Sequence, residues 1–189
     1  MGLFSVRELN DEWRPFATET SRMRLTIRAM QPDDWAAVSR IYQDGLSTGL
    51  ASFETTSPSW RDWDSAHHRH SRLVACLGNR VVAWAALSPV SRRTCYSGVA
   101  EFSIYVAQDQ RGQKIGRTLL QALIESSEKN DIWTLYSSTF PENHASLQLQ
   151  TSCGFRIVGR REKIAQHHGI WRDTIITERR SQVVGVDVS

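Results

Sequence analysis

Apolar and polar residues alternate in "MRLTIRAM" (residues 23–30), which sets Leu25 and Ile27 on one face, the period of a strand. The period then lengthens. In "QPDDWAAVSRIYQDGL" (31–46), Trp35, Val38, Ile41 and Tyr42 form a helical stripe. Pro32 suits the first helical position, and Asp33 and Asp34 suit the positive end of the helix. "SPSWRDWDSAHHRHS" (57–71) predicts a weaker helix with Trp60 and Trp63 on one side. "RLVACLG" and "RVVAWAALS" predict two strands joined by a tight turn at Gly78-Asn79. The loop "PVSRRTCYSG" leads to a strand at 100–106 and a helix at about 113–129. "IWTLYSSTF" predicts a strand, and "PENHASLQLQTSC" a helix stopped by Gly154. "FRIVGRREKI" and "WRDTIITERR" close the pattern as two strands. The order βααβββαβαββ predicts an α/β chain with a mixed sheet. Residues 1–22 lack a sustained apolar period, so the expected division is an N-terminal extension (1–22), a domain (23–180) and a tail (181–189).

Composition narrows the class. A chain of 189 residues, 40% hydrophobic and 23% charged, suits one well-packed domain. Its apolar runs fall short of the roughly 18 residues of a membrane span, so no membrane partner is expected. A net charge of +3 mildly favours anionic ligands; without a dense Lys/Arg run it does not support nucleic acid. Cys76, Cys95 and Cys153 are scattered without metal-type spacing, which suits a reducing cytoplasm. The N-terminal "MGLFSVRELNDEWRPF" turns acidic too early for a signal peptide, and Val6 stands where myristoylation requires Ser or Thr. The pairs and triplets His67, His68, His70 and His167, His168 have no carboxylate or cysteine at ligand spacing, so no metal is expected. His67 is expected to pack against Trp60 and Trp63.

The candidate chemistry begins with "QRGQKIGRTLL" (110–120), a cationic, glycine-marked turn between a strand and a helix. Unpaired N–H groups at a helix start stabilise an anion. Gly112 and Gly116 keep side chains clear of it, and Arg111, Lys114 and Arg117 add charge. A Walker loop is excluded, because "GQKIGRT" is one residue short and carries Arg for Lys. A dinucleotide fingerprint is excluded by spacing and by the preceding antiparallel strands. On spacing alone, a helix start with solvated cations stands level with a phosphate site. Within "AEFSIYV" (100–106), Glu101, Ser103 and Tyr105 share one face and Phe102, Ile104 and Val106 the other. A carboxylate in an apolar run is costly to bury unless paired or used. It is either a structural ion pair with an arginine or a general base whose proton affinity burial has raised.

The turn resembles the R-x-x-G-x-G signature of the GCN5-related N-acetyltransferases (GNAT), which binds the coenzyme A pyrophosphate after the fourth strand. Here Lys114 replaces the first signature glycine. The resemblance covers about residues 23–180. "ASFETTSPS", "LSPVSRRTCYSGVAEFSIYV", "FPENHASLQLQTSCGF" and "GIWRDTIITERRS" are together most similar to the phosphinothricin and methionine sulfoximine acetyltransferase branch. It implies the GNAT fold, acetyl-coenzyme A as cosubstrate, a small amino acid analogue as acceptor, and a homodimer. Glu101 matches the family's general base. Backbone groups of Ile104, Tyr105 and Val106 would hold the pantetheine arm and the oxyanion; Arg111, Gly112, Lys114, Gly116 and Arg117 the pyrophosphate; and Asn143 would contact the cofactor. Gln150 stands where relatives carry Tyr or His as the acid for the leaving thiolate, and an amide cannot serve as that acid. Phe53 and Glu54 resemble the lip of the acceptor pocket. Arg93, with Tyr96 beside it and Arg92 less central, is the expected clamp on acceptor oxyanions. Trp171, Arg172 and Asp173 match a "W-x-D" of structural or dimer-contact role. Other acceptors in view are the arsenic analogue of phosphinothricin and a peptide or protein amine. A coenzyme A-binding module without catalysis is the rival of a different class.

Overall fold

Residues 24–186 are described by the structure, a computed structural model, so the predicted extension at 1–22 lies outside them. The strands are β1 (Leu25–Ala29), β2 (Leu73–Leu77), β3 (Arg80–Pro89), β4 (Val99–Val106), β5 (Thr134–Thr139), β6 (Arg156–His167) and β7 (Ile170–Arg180). The helices are α1 (Trp35–Leu46), α2 (Trp60–Ala66), α3 (Ile115–Glu128) and α4 (His144–Ser152). The order is the expected one. The seven strands form one sheet, β1-β2-β3-β4-β5-β7-β6. Every pairing is antiparallel except that of β4 with β5.

The two faces of the sheet carry different cores. Strand alternation sends Val82, Phe102 and Leu135 toward α3, where they meet Ile115, Leu119, Leu120 and Leu123. The opposite alternation sends Val74, Trp84 and Ala86 toward α1 and α2, against Val38, Ile41 and Trp63. Trp63 packs on Trp35 and Trp60 and stacks at 4.2 Å on His67. Pro32–Asp34 form a 3-10 turn rather than the first turn of α1. The cause is Asp34, whose carboxylate accepts from the Gln31 N–H at 2.8 Å and from Arg28 at 2.6 Å, fixing the chain's entry. At the β2–β3 turn, Leu77 pairs with Arg80 and Gly78 takes φ 58°, the positive φ that a tight hairpin requires.

α4 is joined to the sheet by polar contacts. Gln150 is buried, and its amide nitrogen donates to Thr139 Oγ1 (3.0 Å) and Ser146 Oγ (2.9 Å) while its carbonyl accepts from Thr177. Both ends of the amide are therefore occupied. Helical spacing alone would set Asn143, Leu147 and Gln150 on one face, but the structure divides them. Asn143 caps the helix and Gln150 turns to the sheet, while Ala145, Gln148, Leu149 and Ser152 face a cleft. Gln150→Leu is expected to leave the Thr139 and Thr177 hydroxyls without this partner and to cost about 2 kcal/mol. Thermal or denaturant unfolding measures it, and an unchanged midpoint would show that the amide contributes nothing net.

Candidate active site

β4 pairs with β3 from Ala100 to Val106, but with β5 only at Val99–Glu101 against Thr134–Tyr136. Beyond Glu101 the two strands part, and the edge of β4 faces a cleft of about 940 Å3. Its walls are Glu101–Val106, the turn at 110–117, the end of β5, the exposed side of α4 and the loop after α1. α3, α4 and β4 approach closely at Gly116, where an added Cβ would lie 3.4 Å from Leu149 and 3.5 Å from Val106.

At one end, the first turn of α3 opens into the cleft through Lys114, Ile115, Gly116 and Arg117, and no side chain caps it. Its N–H groups form a partial positive charge, reinforced by Arg111, Lys114 and Arg117. Arg111 is steadied by donating from Nε to the Val106 carbonyl at 3.4 Å. Gly112 has φ 77° and Lys114 φ 62°. Lys114 is thus a non-glycine residue in the left-handed region, with the steric cost that region carries. Ile115, buried in the core, fixes the helix start behind it.

At the other end stands Glu101. Its carboxylate accepts a hydrogen bond from the Tyr136 hydroxyl at 3.2 Å and another from the Ser138 backbone N–H. It forms no ion pair among the described residues. Burial pushes its pKa above the ordinary glutamate value, and the two hydrogen bonds oppose the rise. The Tyr136 phenol is pushed up to about 12 by burial and by the adjacent carboxylate. Tyr136 was not singled out from sequence, because only the parallel pairing of Glu101 with Tyr136 brings them together. On the same face as Glu101, Tyr105 stacks on Trp84 at 4.9 Å and meets Tyr42 edge-on at 4.8 Å. Gly45 in α1 makes room for it, since a Cβ there would lie 2.5 Å from the Tyr105 ring. Burial pushes the Tyr105 phenol far above its usual value.

The remaining expected residues divide. Phe53 lies in the wall, edge-on to Phe140 at 4.8 Å. Glu54 is exposed outside the wall, although its charge acts on Tyr42 and Tyr105. Asn143 lines the cleft, accepts from Ser146 N at 3.2 Å and donates to the Leu50 carbonyl at 3.1 Å, so it ties the loop after α1 to α4. Arg93 sits 5.6 Å from the Tyr96 ring centre, and both are exposed on the β3–β4 loop outside the wall. No group of three or more metal-ligating side chains occurs among the described residues.

An uncapped helix start with basic side chains at one end of a cleft, an unpaired strand edge along it and a part-buried carboxylate at the other end form an arrangement that suits group transfer to an amine. Comparison with known proteins agrees. The sequence profile of the Acetyltransferase (GNAT) family matches residues 35–155. A phosphinothricin N-acetyltransferase of Alcaligenes faecalis is 32% identical over 170 residues, 85% of each chain. An L-methionine sulfoximine/L-methionine sulfone acetyltransferase of Pseudomonas aeruginosa is 29% identical over 158 residues, 80% of this chain and 91% of that one. Among solved structures, the ribosomal-protein-alanine N-acetyltransferase of Brucella melitensis superposes with a TM-score of 0.77 at 30% identity, covering 82% of this chain and 99% of that one. The chain belongs to the GNAT family and is an N-acetyltransferase.

Proposed function

We propose that the chain transfers the acetyl group of acetyl-coenzyme A to the α-amine of a small amino acid analogue. Phosphinothricin and methionine sulfoximine, for which its relatives are named, are the favoured acceptors. The observation that carries this reading is Glu101, held by Tyr136 where β4 and β5 part, in the same cleft as the uncapped start of α3. The pyrophosphate would lie on the N–H groups of that helix start with Arg111, Lys114 and Arg117 around it. The pantetheine arm would run along the open edge of β4 and take the hydrogen bonds that β5 does not supply.

The thioester carbonyl would then lie near Ile104–Val106, whose backbone N–H groups would stabilise the oxyanion. The acceptor arrives as an ammonium. Glu101, directly or through water, takes one proton, the free amine attacks and the N–C bond forms; as the C–S bond breaks, the nitrogen releases its second proton to solvent and the neutral amide results. Tyr105 is a poor acid for the departing sulfur, because its burial makes the phenol harder to ionise. The sulfur leaves as a thiolate and takes its proton from solvent. A coenzyme A-binding module without turnover is the second reading. Two observations favour it: Lys114 stands in the left-handed region, and the Gln150 amide is spent on structural hydrogen bonds.

A second copy of the chain is proposed to cover the β6–β7 hairpin. β6 is one of the two edge strands of the sheet, and Ile157, Ile164, Ile170 and Trp171 are exposed along the hairpin. The three free cysteines suit a reducing compartment, in line with a cytoplasmic location, and no helix among the described residues is long and apolar enough to cross a membrane.

Three outcomes are expected. Glu101→Gln should lower kcat/KM for the acceptor by roughly 10²–10⁴-fold, read as thiol release from acetyl-coenzyme A, without weakening coenzyme A binding. A variant as active as the wild type would remove Glu101 from the mechanism, and a wild type that binds coenzyme A yet turns over no amine would favour the module. Tyr136→Phe should move the acid limb of the pH–kcat/KM profile upward. The lost hydrogen bond favoured the carboxylate, so Glu101 would then ionise at higher pH; a limb that stays put or moves down contradicts the assignment. Sedimentation should return twice the 21.5 kDa chain mass, and a monomer at micromolar concentration rules the dimer out.

A further inference from the structure

The acceptor end of the cleft is short of positive charge. Its own wall supplies Arg111, Lys114 and Arg117, all at the opposite, phosphate-binding end, while its other charged lining residues are Glu101 and Glu142. An amino acid bears its carboxylate on the carbon that carries the amine. Once the amine reaches Glu101, that carboxylate is only a few ångströms away and needs a cation.

The sheet supplies candidates on the same face. Directly opposed residues project to one side, and each strand alternates by two. Glu101 opposes Tyr136, Tyr136 opposes Glu178, Ser138 opposes Ile176, and Thr174, two residues on, opposes Arg161. Glu101, Tyr136, Arg172, Thr174 and Arg161 therefore share the face, and so does Arg156 opposite Glu178. Two of these arginines are already engaged. Arg156 pairs with Glu178, and Arg172 pairs with Glu142 at 3.0 Å with its guanidinium 4.4 Å from the Phe140 ring centre. Arg161 makes no ion pair and no side-chain hydrogen bond among the described residues. β6 and β4 are three strand spacings apart, about 14 Å between backbones, a span that a small amino acid and the side chains at its two ends can bridge. The Arg161 charge is near enough to favour the ionised forms of both Glu101 and Tyr136, a small effect against burial.

We infer that Arg161 anchors the carboxylate of an amino acid acceptor, holding its α-amine toward Glu101 across the face of β5 and β7. The inference rests on the acetyltransferase reading above and names the group on the enzyme that makes the acceptor an amino acid rather than any amine. Arg161 is exposed in the single chain, so its replacement should not disturb the chain's own folding. L-Methionine sulfone is a clean probe, because its carboxylate is its only anionic group. The comparison substrate is the amine that remains when methionine sulfone loses that carboxylate.

In Arg161→Gln, KM for methionine sulfone should rise tenfold or more, the loss of a charge-assisted pair. The kcat and the KM for acetyl-coenzyme A should change little, the decarboxylated amine should be turned over as by the wild type, and Arg161→Lys should recover part of the loss. Unchanged methionine sulfone kinetics in the Gln variant, with an active wild type, overturn the anchor alone. An equal loss on both substrates also overturns it, because a disturbed cleft does not discriminate by carboxylate. A wild type that acetylates neither compound fails at the earlier step and overturns the acceptor assignment itself.

Discussion

The whole site depends on one interruption in backbone pairing. β4 and β5 are bonded only at their first three residue pairs and then separate, while β4 remains bonded to β3 throughout. A strand edge inside a domain ordinarily finds a partner, because unpaired N–H and C=O groups are costly away from water. Leaving this edge open creates the cleft and supplies its hydrogen-bonding inner wall. The same separation leaves the start of α3 open at one end, and at the other it places Glu101 at the last point of contact, within reach of a tyrosine from β5.

Holding the strands apart requires support from both layers. On the α4 side, Gln150 joins the helix to β5 and β7 through three hydroxyl partners, two of them on the strands and one within α4. Buried hydrogen-bond networks of this kind fix geometry more than they add net stability. On the other side, Trp84, Tyr105 and Tyr42 pack together between β3, β4 and α1. Burial of Glu101 raises its proton affinity. Tyr136 and Ser138 then limit that rise.

Much of this was legible in the order of residues. The periods of two and three to four gave the element order, and the glycine-marked turn at 110–117 showed where an anion could lie. Glu101 stood out as a charge in an apolar strand. Some features had local explanations that sequence hides. Lys114 reads as a cation, yet it also occupies the left-handed conformation that its glycine equivalent would take freely. Asn143, Leu147 and Gln150 fit one face by helical spacing, but capping claims the first and the sheet claims the last. Arg93 and Tyr96 sit close to β4 in sequence, and a stacking contact on an exposed loop holds them together away from the wall.

Sequence by itself determined what depends on neighbours along the chain. That covers which segments are strands or helices, the uncapped glycine-bearing helix start, the family signature and the identity of the carboxylate. Only the tertiary structure decided which residues meet across strands. Tyr136 lies 35 residues from Glu101, and Arg161 is three strands away; neither carries a local signal. The physical reason is register. A strand's alternation says which side chains share a face within that strand. Which faces coincide, and where two strands stop pairing, is set by the hydrogen bonds between strands and by the helices packed on them.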